Sequence, residues 1–157
     1  MRELRCDQKA QWLVTAPLAA CALLRNRTLA SSSQPLVLSP GQRTSPSAGH
    51  AIDIELTLSL PSTATVLELQ VLAAPTGGSV NASSGFMINA SSILVNVSSP
   101  AGDGSRAGVL GISFPAEGPW QRPFKVLAGE KHVDIRVFVD RSVVEVWVAG
   151  GRATLQG

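Results

Sequence analysis

In the last part of the chain, apolar residues recur at every second position. Val133, Ile135, Val137 and Val139 form one run and Val144, Val146 and Val148 another, with polar or charged residues between. Strand side chains alternate between faces, so each run predicts a strand that buries one side. The segment Asp140-Arg141-Ser142 joins them. Gly150-Gly151 accepts positive φ at both turn positions and predicts a hairpin into Arg152-Ala153-Thr154-Leu155. Earlier, Ile52, Ile54, Leu56, Leu58 and Leu60 make one apolar face and Leu67, Leu69 and Val71 another, with Pro61-Ser-Thr-Ala64 as the turn of a predicted hairpin. Phe86-Met-Ile88, Ile93-Leu-Val95 and Val109 to Phe114 read as further strands, and the proline-rich Pro115 to Pro123 reads as a loop. Short strands with regular turn signals and no amphipathic helix predict an all-β fold, an antiparallel two-sheet β-sandwich.

Composition narrows the function classes. With 157 residues, 45% apolar and 15% charged, the chain suits one core and short strands joined by turns. A net charge of +2, with Lys and Arg scattered singly, leaves no basic stripe and argues against nucleic acid as a partner. The sequence holds no apolar run long enough to span a membrane. Trp12 to Leu24 is apolar, but Glu3 and Asp7 precede it, Pro17 interrupts it and no small-residue cleavage pattern follows, so it does not read as a signal peptide. Residues 26–49, rich in Ser and Pro, read as a linker in which Leu36-Val-Leu38 is the one brief strand candidate. Cys6 and Cys21 lie in no metal-ligand spacing, so no metal or cofactor is expected. They form either a bridge or a pair of buried free thiols.

The run Asp140-Arg141-Ser142-Val143-Val144-Glu145-Val146-Trp147-Val148-Ala149-Gly150-Gly151-Arg152 resembles the D-x-S-x-V-E-x-F-x-N-G-G-R signature of the C-terminal β-sandwich module of glycoside hydrolase family 32, the invertases and fructan hydrolases. Asp140, Ser142, Val144, Glu145, Gly150, Gly151 and Arg152 match, while Trp147 replaces the usual Phe and Ala149 the frequent Asn. Arg2-Glu3-Leu4, Trp12-Leu13, Pro17 and Leu23-Leu24-Arg25 are similar to the family's passage out of its catalytic domain. The resemblance implies that residues 1–25 are the end of a catalytic β-propeller, that 26–49 link, and that 50–157 form a jelly-roll or concanavalin-like sandwich, incomplete at its C-terminal edge. The family's catalytic strings are N-D-P-N-G with the Asp nucleophile, R-D-P, and E-C with the acid/base Glu, and none occurs in this sequence. The stretch Asn96 to Gly102 stands where the family usually has a D-R-[ST]-x-S-G turn, a departure from its pattern.

Glycoside hydrolysis needs two carboxyl groups flanking the scissile bond, about 5 Å apart in retaining enzymes. Asp53 and Glu55 share the polar face of one predicted strand, and a solvated face is the expectation for them. Asp140 is expected to cap its turn, and Glu145 to pair with Arg136 or Arg141 across the hairpin. No catalytic residue is therefore assigned. An outward, exposed Trp147 beside Glu145 predicts a surface that docks on the catalytic propeller. The alternative is a stand-alone lectin-like or adhesion module in which Trp147 and Trp120 stack on a saccharide, although the chain has only three Trp, four Phe and no Tyr. A homodimer is a further possible assembly. Sequons at Asn26, Asn81, Asn89 and Asn96 predict N-glycosylation and a secreted or vacuolar location.

Overall fold

The computed structural model describes residues 2–25, 28, 31–39, 41–42, 51–71, 91–114, 117–140 and 143–157. Within them lie ten strands in three sheets. Strands β1 (Arg2–Asp7) and β2 (Trp12–Pro17) form a two-stranded antiparallel hairpin, followed by a short 3-10 helix over Ala19–Leu24. Sheet I has the order β10-β9-β8-β3, built from Ala153–Gln156, Val143–Val148, His132–Asp140 and Ala51–Ser59. Sheet II has the order β4-β5-β6-β7, built from Thr65–Val71, Ser91–Val97, Arg106–Phe114 and Glu117–Val126.

Period-two alternation explains the sandwich. The inward residues Val133, Ile135, Val137, Val144, Val146 and Val148 of sheet I and Ile93, Val95, Val97, Leu110 and Ile112 of sheet II are at most 1% exposed and belong to one core. Ile52, Ile54, Leu56, Leu58 and Leu60 line its flank, half-buried, with Leu67 and Leu69. Where β6 meets β7, Gly108 lies opposite Phe124, and a Cβ there would overlap the aromatic ring, so the absent side chain is what seats Phe124 in the core.

Several expectations change. The hairpin predicted between the segments at 52–60 and 67–71 does not form. β3 pairs with β8 and β4 with β5, so the Pro61 turn carries the chain from one sheet to the other. Both strands place their aliphatic residues toward the same core from opposite sides, a pattern that alternation alone does not distinguish from a hairpin. The segment read as a loop, Pro115 to Pro123, contributes most of β7 from Glu117 onward. Pro119 and Pro123 are tolerated because β7 is the last strand of sheet II, and a proline lacking N–H is harmless on an unpaired edge. Leu36, Val37 and Leu38 are exposed and form no strand. Cys6 and Cys21 are free thiols, and Cys6 is exposed rather than buried. The strand expected at Phe86-Met-Ile88 lies outside the described residues.

Truncating Ile135→Ala, fully buried in sheet I, is expected to cost about 3 kcal/mol in urea unfolding. Val109→Ala, on an outer face, is expected to stay within about 1 kcal/mol, and equal losses would contradict the placement of the core.

Candidate functional site

The residues singled out by the sequence converge on the outer face of sheet I. Register aligns Asp53, Phe138, Glu145 and Gln156 as one row across β3, β8, β9 and β10, and Glu55, Arg136, Trp147 and Thr154 as the next. Val144 takes the opposite face and lies in the core. Asp140 ends β8 opposite Val143, exposed. Arg141 and Ser142 lie outside the described residues.

The β1–β2 hairpin packs over this face. Trp147 points outward as alternation predicts, yet it is only 4% exposed, against the expectation of an exposed aromatic. The Arg2 guanidinium sits 5.8 Å from its ring centroid, and Phe138 meets it edge-on at 5.3 Å. The indole N–H is buried without an acceptor among the described residues. Glu145 does not pair with Arg136, and its expected alternative partner Arg141 lies outside the described residues. Glu145 accepts from Arg2 at 3.0 Å, and Arg2 also donates to Gln156 at 2.9 Å. The reason is geometric: Arg136 stands opposite Trp147 and turns toward β3, leaving Glu145 to the hairpin.

The Gly-Gly-Arg turn fastens the hairpin. Ala149, Gly150 and Gly151 all have positive φ, at 54°, 67° and 90°. At Gly151 a Cβ would overlap the Thr15 carbonyl, so only glycine lets β2 pass this close to the turn. Thr15 Oγ1 lies 3.3 Å from Thr154 Oγ1 alongside. The same turn delivers Arg152, whose side chain is 6% exposed, between two carboxylates. It donates to Asp7 at 2.9 Å and to both oxygens of Glu130 at 2.7 and 2.8 Å. Asp7 belongs to the turn between β1 and β2, where its other oxygen accepts the N–H groups of Lys9 and Ala10.

Electrostatics follow from these contacts. The backbone N–H of Ala10, then Arg152, hold the Asp7 carboxyl below its usual range. Arg152 first, then the Leu127 N–H, do the same for Glu130. Arg152 is in turn held more firmly protonated by Glu130 and then by Asp7.

A second group of charges lies on β3. Asp53 and Glu55 were expected on a solvated face; Glu55 is exposed there, but the Asp53 side chain is only 11% exposed. Arg136 donates to both of its oxygens, at 3.2 and 3.0 Å, and Arg25 adds a bond at 2.6 Å. Glu55 is bound by Arg25 and approached by Arg136 at 3.4 Å. Glu55 and then Asp53 keep Arg25 firmly protonated. Between hairpin and sheet an open groove of about 410 Å³ is lined by Arg5, Thr57, Asp134, Arg136 and Trp147. Asp134 accepts the Thr57 hydroxyl at 3.1 Å. The face is thus a surface of paired charges around a covered indole, an interface in its chemistry.

Sequence reasoning missed Arg2, Asp7, Arg25 and Glu130, since each acts on a partner far along the chain. The one local signal was Asp7 followed by polar residues, an Asx-turn pattern.

Arg152→Met is expected to destabilise the hairpin contact by about 2–3 kcal/mol, because it leaves two partly buried carboxylates facing each other. A red shift of Trp147 fluorescence at neutral pH would report it. Since both carboxyls titrate below their unfolded values, their stabilisation is present above about pH 4 and is lost as pH falls through the lowered folded values. The native chain should therefore loosen the hairpin in acid, and Arg152→Met should show a smaller change in that window, since the Ala10 and Leu127 N–H groups still hold the two carboxylates.

Comparison with curated proteins and with solved structures gave no match. The family model described as "Glycosyl hydrolases family 32 C terminal" matches residues 21–156, a span that includes both sheets and the Gly-Gly-Arg turn. This chain belongs to the glycosyl hydrolase family 32 C-terminal domain family.

Proposed function

We propose that the chain is a non-catalytic sandwich that braces the catalytic propeller of a family 32 enzyme acting on sucrose or fructans. The observation that carries this reading is the use made of the signature residues. Glu145 holds Arg2, Trp147 lies under Arg2, Gly151 admits Thr15 and Arg152 holds Asp7. Each anchors the β1–β2 hairpin, the segment that would end the propeller. The hairpin's exposed Leu4, Trp12 and Leu13, at 71%, 46% and 72%, are then the surface turned toward the preceding blade.

The charge pattern supports the same conclusion. A glycosidase needs one carboxyl free to attack and another free to donate a proton. Asp53 and Glu55 are instead bound by Arg25 and Arg136. Trp147, offered as a sugar platform, has a cation over its ring and is closed to stacking.

The purified chain is expected to release no fructose from sucrose or inulin. Turnover that disappears in Asp53→Asn or Glu55→Gln would overturn the reading. In the intact parent enzyme, Trp147→Ala should lower the Tm by several degrees while leaving kcat/KM for sucrose within about twofold.

A further inference from the structure

Sheet II has an outer face that no described residue covers. Val66, Asn96, Val109 and Pro123 stand directly opposite one another across β4, β5, β6 and β7. The adjacent row is Glu68, Leu94, Gly111 and Gln121. Val66, Leu94 and Val109 are 61%, 39% and 37% exposed, so aliphatic groups form a continuous stripe in water at the middle of a sheet. Charges flank the stripe: Glu68 is bound to Ser92 and Gln70, and Lys125 lies two strands away opposite Ala107.

Asn96 is the polar residue set into that stripe. It is exposed between Val95 and Val97, both fully buried, so its side chain faces solvent. Its carboxamide makes no hydrogen bond to a described residue. Asn96-Val97-Ser98 is an acceptor sequon. Ser98 Oγ accepts the Ala107 N–H at 3.1 Å and donates to the Ser99 carbonyl at 3.0 Å, which fixes the strand exit and leaves Asn96 free. Asn26, Asn81 and Asn89 lie outside the described residues.

We infer that Asn96 carries an N-linked glycan whose first sugars lie along the Val66–Val109 stripe. The donor is a lipid-diphosphate-linked oligosaccharide of the secretory lumen. The bond between Asn96 Nδ2 and the sugar C1 forms as the C1–O bond to diphosphate breaks. The amide nitrogen gives up a proton and the lipid diphosphate leaves with the electron pair. A pyranose ring presents C–H faces to the valine methyls and keeps its hydroxyls in water, so the modification removes exposed aliphatic surface that protein atoms leave bare. The chain is thereby assigned to the secretory route.

The test uses the full chain fused to a secretory leader in a eukaryotic host, with peptide mapping of secreted and lumen-retained material. The Asn96 peptide should carry a glycan that peptide N-glycosidase removes with conversion of Asn to Asp. Asn96→Gln should lose one glycan's step in mass, and Ser98→Thr, which keeps the hydroxyl, should retain it. After enzymatic release, binding of an apolar fluorescent dye should rise at least about twofold, as expected for newly exposed aliphatic surface. An unmodified Asn96 peptide overturns the assignment. An occupied site whose removal leaves dye binding unchanged overturns the covering role.

Discussion

One buried guanidinium joins the two ends of this chain. Arg152, 6% exposed, is shared by Asp7 from the first hairpin and Glu130 from the turn before β8. A two-stranded hairpin is marginal in water on its own, and the outer face of sheet I carries a tryptophan and a phenylalanine that favour burial. Each solves the other's problem, and Arg152 sets the register. Gly151 is part of the same device, because a side chain there would hold β2 away from the turn and pull Asp7 out of reach.

The inward faces were legible in the sequence because aliphatic residues two apart admit one interpretation, and the positive φ of Gly150 and Gly151 follows from the two glycines. What was not legible required partners distant in sequence. Trp147 alternates outward, and nothing local says that a hairpin more than a hundred residues upstream will cover it. Glu145 has Arg136 two strand positions away in the pattern, yet register puts Phe138 opposite it and leaves Arg2 as its partner. Pro119 and Pro123 argued against a strand until β7 was seen to be an edge. The Pro61 turn looked like a hairpin because a strand that crosses between sheets keeps the same alternation.

Four of the signature residues, Glu145, Trp147, Gly151 and Arg152, meet the β1–β2 hairpin. Val144 is in the core, and Glu145 and Arg152 bind the hairpin outside the sheet. Such residues are constrained by both surfaces that meet there, and the carboxylates of Asp7, Asp53, Glu55, Glu130 and Glu145 are each paired with an arginine.

The contacts of Arg2 with Glu145 and of Asp7 with Arg152 span 143 and 145 positions. During synthesis the strands that receive the hairpin emerge last, so the contacts of β1 and β2 with sheet I must wait for β9 and β10. A nascent chain arrested before Gly150 would already own most of its sandwich and still lack the turn that anchors the β1–β2 hairpin. The last strands of the sandwich thus decide when the β1–β2 hairpin makes its contacts with sheet I.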